Sequence, residues 1–218
     1  MTYTGEVEVG GDADVRELAD LMITKLAVGE YSNNAYLLRC THTGAQVLID
    51  AAAEPDRLLD LIGDGGLDAI VTTHAHRDHW GALDEVSKAT GAITIAHEID
   101  AYDIGVPTNR KVDEGAEIEV GDATLRVIHL VGHTPGSIAL IYDDPSGAPH
   151  IWTGDCLFPG GVGNTWSDAE RFASLYEGVR SKIFDALPDE TWVYPGHGAD
   201  TTLGAERPAL DEWLERGW

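Results

Sequence analysis

The feature that most constrains this chain is a group of four metal-binding side chains placed directly after an apolar segment. Residues 67–73 form an apolar run of strand length, and the sequence then continues Thr-His-Ala-His-Arg-Asp-His from Thr73. Alternate residues of an extended chain point the same way, so His74 and His76 can reach one cation together. If the chain then turns into a helix, Asp78 and His79 are displaced towards a second cation. Imidazole and carboxylate suit zinc, iron or manganese, so the pattern predicts a metal centre at a strand end.

Three further candidate ligands occur in short, glycine-containing loops that each follow a predicted strand. His133 lies in Gly-His-Thr-Pro-Gly, Asp155 in Thr-Gly-Asp-Cys and His197 in Pro-Gly-His-Gly. Glycine beside a ligand lets the backbone approach closely and adopt turns that other residues resist. Each of the three, taken alone, is explained equally well as an ordinary loop residue. Together with the histidine cluster they predict one site assembled from several loops.

The hydrophobic patterning predicts an α/β fold with two mixed β-sheets packed face to face and helices outside. Strands are expected at 22–28, 35–40, 46–50, 67–73, 92–97, 123–131, 137–142, 151–153 and 191–194. Helices are expected at 56–62, 79–90, 168–187 and 208–216. Runs of strands followed by a helix occur twice, which is typical of a layered sandwich. Residues 1–218 are interpreted as one domain, with an acidic and loosely ordered lead-in at 1–20.

The charge of the chain excludes several classes of partner. It has 38 Asp and Glu against 14 Lys and Arg, a formal charge of -24. Such a surface repels phosphate, so neither nucleic acid nor an anionic membrane is an expected partner. The first residues show no signal-peptide pattern, and no apolar run approaches 18 residues. The two cysteines form no CxxC motif and imply no disulfide framework, so a reducing cytoplasm is the predicted compartment.

The remaining histidines and one cysteine are interpreted as non-catalytic. Cys156 follows Asp155 directly and is expected to point away from the metals as an inert buried thiol. His42 and His150 fall in turn-rich segments and are predicted to be solvated. His97 and His129 lie at strand positions and are predicted to be structural.

These motifs, in this order, resemble the metallo-β-lactamase superfamily and, within it, the short glyoxalase II-like thioester hydrolases. The resemblance covers roughly residues 20–205. It implies the αββα sandwich of that family and two divalent metal ions, zinc first, with iron or manganese as alternatives. By this likeness one metal is held by His74, His76 and His133, and the second by Asp78, His79 and His197, with Asp155 bridging both.

The resemblance also implies a reaction. Two metals would share a water and activate it as a hydroxide that attacks a carbonyl, with Asp78 as the catalytic residue that relays a proton. A thiolate needs little help in leaving, so acyl thioesters of a small thiol, of the glutathione or mycothiol type, are the expected substrates. The side chains expected to wall the pocket are Trp80, Phe158, Asn164 and Trp166.

Several alternatives stay open at this point. A mononuclear iron persulfide dioxygenase would carry nearly the same motifs, and a lactone or other ester hydrolase would use the same chemistry. A non-catalytic metal-binding module does not explain why all seven ligands are present. The sequence ends shortly after His197, whereas glyoxalase II continues into a helical domain that grips glutathione, so weak use of glutathione is expected.

Overall fold

The computed structural model describes residues 2–217, and most of its strands form two large β-sheets. The first, sheet one, has seven strands whose spatial order is their order in the sequence. They are β1 (Asp14–Glu17), β2 (Leu21–Val28), β3 (Asn33–Cys40), β4 (Gln46–Ile49), β5 (Ala69–Thr72), β6 (Ile93–His97) and β7 (Arg110–Val112). β1 to β4 are antiparallel, whereas β4 to β7 are parallel. Parallel neighbours need long crossovers, so the chain leaves the sheet between them.

The second, sheet two, has six strands in the order β15, β14, β11, β10, β9, β8. They are β8 (Glu117–Val120), β9 (Ala123–His129), β10 (Ile138–Tyr142), β11 (His150–Gly154), β14 (Trp192–Pro195) and β15 (Thr201–Thr202). Only β11 and β14 are paired in parallel. A separate two-stranded hairpin consists of β12 (Leu157–Phe158) and β13 (Gly161–Val162).

Five α-helices in the described part of the chain cover the outer faces of the sheets. They are α1 (Pro55–Ile62), α2 (Leu83–Thr90), α3 (Ala169–Val179), α4 (Leu203–Glu206) and α5 (Leu210–Arg216). Pro55 opens α1, where its missing N–H is not needed. Asp168 caps α3 by accepting from the backbone N–H groups of Glu170 and Arg171. Gly91 ends α2 in the left-handed conformation.

Three apolar clusters show that the layers are stacked helix, sheet, sheet, helix. The central cluster joins both sheets, with Tyr36 and Val71 from sheet one and Leu140 and Trp152 from sheet two. A second cluster packs α1 and α2 on the outer face of sheet one. A third packs α3 and α5 on the outer face of sheet two. The predicted αββα sandwich of two mixed sheets is therefore confirmed.

The lead-in at residues 1–20 is more ordered than predicted. Residues Asp14–Glu17 form β1 and pair with β2. The Tyr3 hydroxyl donates to Asp200 Oδ2 at 2.6 Å. The expectation of loose order is therefore wrong for these residues, because they make backbone pairs and long-range polar contacts. Met1 lies outside the described residues.

A buried ammonium group ties this lead-in to sheet two. Lys25, on β2, has no exposed surface, and its Nζ donates to three acceptors. These are the Gly5 carbonyl at 2.6 Å, the Gly198 carbonyl at 2.8 Å and Asp200 Oδ1 at 2.7 Å. The ion pair is fully enclosed, which is uncommon for lysine unless every proton has a partner. Since Gly198 follows His197, this contact also fixes the loop that carries that histidine.

Two predicted helices are shorter than expected. The segment 79–90 begins with a 3₁₀ turn at Arg77–His79, and the α-helix starts only at Leu83. Residues 168–187 form α3 and then a π-helical turn at Arg180–Phe184. Between that turn and α2, a Cβ at Gly81 would collide with the Ala52 carbonyl, so glycine lets the chain pass close to the segment before α1. The predicted strands lie within two residues of the observed ones. The strands that were not predicted are β1, β7, β8 and the two-residue strands β12, β13 and β15.

Candidate metal centre

All seven predicted ligands come together at one edge of the two sheets. His74 and His76 follow β5, and Asp78 and His79 lie on the 3₁₀ turn after them. The other three follow strands of sheet two: His133 comes after β9, Asp155 after β11 and His197 after β14. Sheet one thus supplies four side chains and sheet two supplies three.

Three imidazole nitrogens form the first ligand group. His74 Nε2 lies 3.0 Å from His76 Nδ1 and 3.3 Å from His133 Nε2. Two ring nitrogens that both present lone pairs repel each other at this distance. A cation placed among them removes that repulsion, and three imidazoles suit zinc or iron.

The second ligand group contains two imidazoles and one carboxylate. His79 Nε2 lies 3.3 Å from His197 Nε2, which in turn lies 3.4 Å from Asp78 Oδ2. Asp78 is held by the Asn33 side-chain amide, which donates to Oδ2 at 3.0 Å. The three ligand atoms therefore lie within 3.8 Å of one another.

Asp155 lies between the two groups and turns one oxygen to each. Oδ1 is 3.2 Å from His79 Nε2, and Oδ2 is 3.5 Å from His133 Nε2. Oδ1 is buried and has no hydrogen-bond donor. A buried carboxylate oxygen without a donor is costly, and a bound cation would satisfy it. A Cβ at Gly196 would collide with this oxygen, so only glycine allows the β14 loop to lie here. These residues fit a pair of divalent ions.

Outer hydrogen bonds fix the tautomer of four of the five histidines. The Nδ1–H group of His79 donates to Asp50 Oδ2 at 2.7 Å, that of His133 to the Asn164 carbonyl at 3.0 Å, and that of His197 to the Tyr31 carbonyl at 2.9 Å. His74 Nδ1 meets Thr73 Oγ1 at 3.1 Å. With the proton on Nδ1, each Nε2 keeps its lone pair for a metal.

The local charges favour cations in both groups. Burial, reinforced by the neighbouring His79, lowers the pKa of His74 well below its usual value, and burial lowers that of His133 to about 4. Both rings are therefore neutral at pH 7. Burial also lowers the pKa of His79, but Asp50 and Asp155 outweigh it and raise the value to about 10. The two carboxylates thus favour positive charge on this ring, and a metal ion at Nε2 would supply that charge in place of a second proton. Burial raises the pKa of Asp155, yet the surrounding imidazoles hold it well below its usual range.

Sequence reasoning missed three residues that hold these ligands in place. Asp50, directly after β4, accepts from the Thr73 backbone N–H, the Thr73 hydroxyl and His79. Asp100 accepts from the Ala75 N–H at 2.8 Å, and from the Thr134 hydroxyl and the Gly136 N–H in the loop of His133. Asn33 contacts Asp78. The one signal in the sequence was a single aspartate or asparagine at a strand end, which many turns also carry.

The four predicted substrate contacts differ in position. Trp80 is only 8% exposed, packs in the core beside sheet one and donates from Nε1 to the Ala75 carbonyl. Its assignment to a pocket wall is corrected, because the 3₁₀ turn points it inwards. Phe158 lines a cavity of about 360 Å³ together with Asp155 and His197. Asn164 is exposed beside His133 and accepts from the Trp166 N–H at 2.7 Å.

Trp166 covers the first ligand group from outside. Its ring stacks on His133 with centroids 5.6 Å apart and meets the edge of His76 at 5.4 Å. Half of its surface is nevertheless exposed. Trp166 and Ser167 both have positive φ, at 54° and 59°, which is unfavourable for residues other than glycine. The chain is thus strained in order to place an exposed aromatic ring beside the metal ligands.

A second cavity, of about 520 Å³, is lined by Asp78. Its other walls include Tyr31 of the β2–β3 turn, Asn33 at the start of β3, and Arg77. The second ligand group therefore borders two cavities, one through Asp78 and the other through His197.

The other predicted side chains are distributed as follows. Cys156 is buried, and burial raises the pKa of its thiol, as expected for an inert cysteine. His42 is exposed, as predicted. His150 is not: it is 3% exposed, lies on β11 and meets the Tyr194 hydroxyl at 2.9 Å. Within residues 2–217, no helix is long and apolar enough to cross a membrane.

Comparison with known proteins identifies the family of this chain. Residues 28–197 match the model of the metallo-beta-lactamase superfamily. The chain belongs to this superfamily. A hydroxyacylglutathione hydrolase of Rhodospirillum rubrum is 35% identical, over 76% of this chain and 62% of its own length. The chain therefore spans less than two thirds of that relative.

Two further similar proteins match over more than four fifths of their own length. The hydroxyacylglutathione hydrolase GloC of Haemophilus influenzae is 30% identical, over 73% of this chain and 83% of its own length. Among solved structures, TTHA1623 in a di-iron-bound form is 34% identical with a TM-score of 0.69. That match covers 84% of this chain and 96% of the other.

Proposed function

We propose that this protein is a dinuclear metal-dependent hydrolase that cleaves acyl thioesters of a low-molecular-weight thiol. The observation that carries the proposal is the position of Asp155 between two complete ligand groups, with one oxygen towards each. A single-metal enzyme has no need of the second group, Asp78, His79 and His197. The di-iron-bound relative supports two metals without deciding between zinc, iron and manganese.

Two bound divalent ions supply Lewis acidity, which polarises a carbonyl and lowers the pKa of water. The chain's own residues do the rest. Burial raises the pKa of Asp78, but the Asn33 amide and His79 together lower it by more, so the carboxylate is ionised at neutral pH. Asp78 faces the cavity beside Tyr31 and can accept a proton at a carboxylate oxygen. We assign it the proton-relay role.

A thiolate leaving group would need no general acid to protonate it. A thiol with a pKa near 8.5 departs as an anion at little cost, so no general acid is needed. The two cavities provide separate room for an acyl group and for the thiol carrier, with Phe158 and Trp166 as apolar surfaces. The names of the Rhodospirillum and Haemophilus relatives support glutathione as the carrier, and a mycothiol-type carrier fits the same chemistry.

The test combines metal analysis with a matched substrate pair. Metal-free protein is reconstituted with zinc, iron or manganese, and kcat/KM is compared for one acyl group on glutathione and on a neutral thiol. We expect two metals per chain and thioester hydrolysis with at least one of them. Because the surface is acidic, the charged glutathione ester should depend more on salt.

Three outcomes would contradict the proposal. A single bound metal under metal-replete conditions, together with oxygen consumption on a persulfide, would favour the dioxygenase. Hydrolysis of lactones but not of thioesters would change the substrate class. Near-normal turnover in Asp155→Ala would refute the bridging role. Asp143→Ala is the matched control. Asp143 is 67% exposed, pairs with Arg126 and is not one of the seven ligands.

We also infer that the protein works in a reducing cytoplasm, without nucleic acid or membrane partners. The net charge of -24 supports the second part. Cys40 and Cys156 are both free and buried, which supports the first. Cell fractionation against compartment markers tests the compartment.

A further inference from the structure

A second set of metal-binding side chains lies at the far end of β3 from the metal centre. Asn33, at the start of β3, contacts Asp78, whereas Cys40 ends the strand roughly 23 Å away by strand rise. Cys40 Sγ, a ring nitrogen of His42 and a carboxylate oxygen of Asp122 all lie within 4.8 Å of one another. Cys40 and His42 belong to the β3–β4 hairpin of sheet one, and Asp122 to the β8–β9 turn of sheet two.

The surroundings of Cys40 favour its thiolate form. Burial raises the pKa of this thiol, but the nearby Thr43 hydroxyl and the backbone N–H groups of Asp122, Thr43 and His42 outweigh burial and lower the value to about 7. Thiolate is the form of cysteine that binds metals. A Cβ at Gly121 would lie 2.9 Å from Sγ, so glycine lets the second turn approach the sulfur.

His42 lies between two carboxylates. Its Nδ1 is 3.7 Å from Asp122 Oδ2, and its Nε2 is 3.7 Å from Asp20 Oδ1. Together with the thiolate, three anionic groups surround one imidazole. In an Nε2–H tautomer turned towards Asp20, Nδ1 keeps its lone pair on the side of Asp122 and Cys40. A carboxylate behind the imidazole is the usual support of a metal-binding histidine.

A similar cluster elsewhere lacks a histidine lone pair that could bind a metal. His97, Asp113 and His129 also converge, and the two rings stack with centroids 3.9 Å apart. His97 Nδ1 accepts from the Ile99 N–H, so its proton sits on Nε2 and is donated to Asp113 at 3.2 Å. His97 in this tautomer has no lone pair directed at the cluster. His97 and His129 are therefore structural, as the sequence predicted.

We propose that Cys40, His42 and Asp122 bind a divalent ion of the zinc class, with water in the fourth position. In a tetrahedral site with metal–ligand distances near 2.0–2.3 Å, ligand atoms lie about 3.3–3.7 Å apart. The His42–Asp122 distance meets this range, and both side chains are more than half exposed and free to close on the sulfur. The ion joins a hairpin of sheet one to a turn of sheet two. This inference does not depend on the proposed catalytic activity.

Titration of the metal-free 218-residue chain with Co²⁺ tests this site separately from the metal centre. The seven ligands of the metal centre include no thiolate, so a near-ultraviolet thiolate-to-cobalt charge-transfer band reports Cys40 alone. We expect three equivalents of cobalt and this band in the wild type. Cys40→Ser should lose the band and one equivalent, and Asp122→Asn should weaken both.

Controls separate this site from the catalytic one and from effects on folding. Asp143→Asn, a change at another exposed aspartate, should leave the band and the third equivalent unchanged. His133→Ala, which damages the metal centre, should keep the band. Asp122 is 64% exposed on a turn, so its variant serves if Cys40→Ser does not fold. Two equivalents without a band in the wild type, or a band that persists in Cys40→Ser, would overturn the proposal.

Discussion

Replacement of Lys25 by methionine probes how a buried ion pair holds the loop of His197. Methionine keeps the volume of the side chain but removes all three donated hydrogen bonds, to Gly5, Gly198 and Asp200. Asp200 keeps its bonds from the Tyr3 hydroxyl and the Trp192 indole, but it loses its counter-charge. Breaking a buried pair in this way typically costs about 3–5 kcal/mol. For a chain of this size that lowers Tm by roughly 6–20 °C.

The measurement is urea unfolding of the metal-free protein at pH 7, followed by circular dichroism. Lys88→Met is the matched control, because Lys88 pairs with Asp84 at the same distance of 2.7 Å but is 73% exposed. Loss of this exposed ion pair should leave the urea midpoint of unfolding unchanged. The double variant Lys25→Met/Asp200→Asn should recover part of the loss, since it removes the uncompensated carboxylate. If Lys25→Met stays within about 1 kcal/mol of the wild type, the pair does not stabilise this fold as argued.

Four other predictions concern the metal centre and the core. Asp50→Asn should lower metal affinity about 10–100-fold in chelator competition, because His79 loses its charged partner. Asp155→Ala should keep its circular dichroism spectrum but lose most activity. Trp166→Ala should raise KM more than it changes kcat. Burial and Arg16 lower the pKa of His150 to about 4, so the unfolded chain takes up a proton more readily than the folded one. The free energy of unfolding should therefore fall by at most roughly 3 kcal/mol as the pH is lowered from 6.5 to 4. The decrease should be smaller in His150→Gln.

The convergence of the seven candidate ligands could be predicted from the sequence because their pattern is local. His74, His76, Asp78 and His79 share one heptapeptide, and the later ligands each sit beside glycine after an apolar run. The strands of the central layers could be predicted for a similar reason, since continuous apolar runs mark strands buried on both faces. β1, β7 and β8 escaped because they are short, and most of them alternate with charged residues.

The supporting residues could not be predicted because their partners are distant in sequence. Asp100 is joined to the loop of His133 more than thirty residues later, and Asp50 to Thr73 and His79 across a helix and a strand. The sequence around Lys25 favours a solvent-facing strand residue, because its partner Asp200 lies 175 residues away along the chain. Trp80 was misplaced since one 3₁₀ turn reverses the direction of a side chain next to a ligand.

The division of the ligands between the two sheets has a consequence for how the protein acquires its metals during synthesis. A nascent chain that has emerged only as far as β7 can present His74, His76, Asp78 and His79, but neither ligand group is complete. The first group waits for His133, and the second waits for His197, which emerges last of the seven ligands. N-terminal segments emerge and begin to fold first, so metal capture comes after strands of both sheets have formed. The ions are therefore bound by a chain that already contains both sheets, and metal occupancy requires both halves of the sandwich to fold.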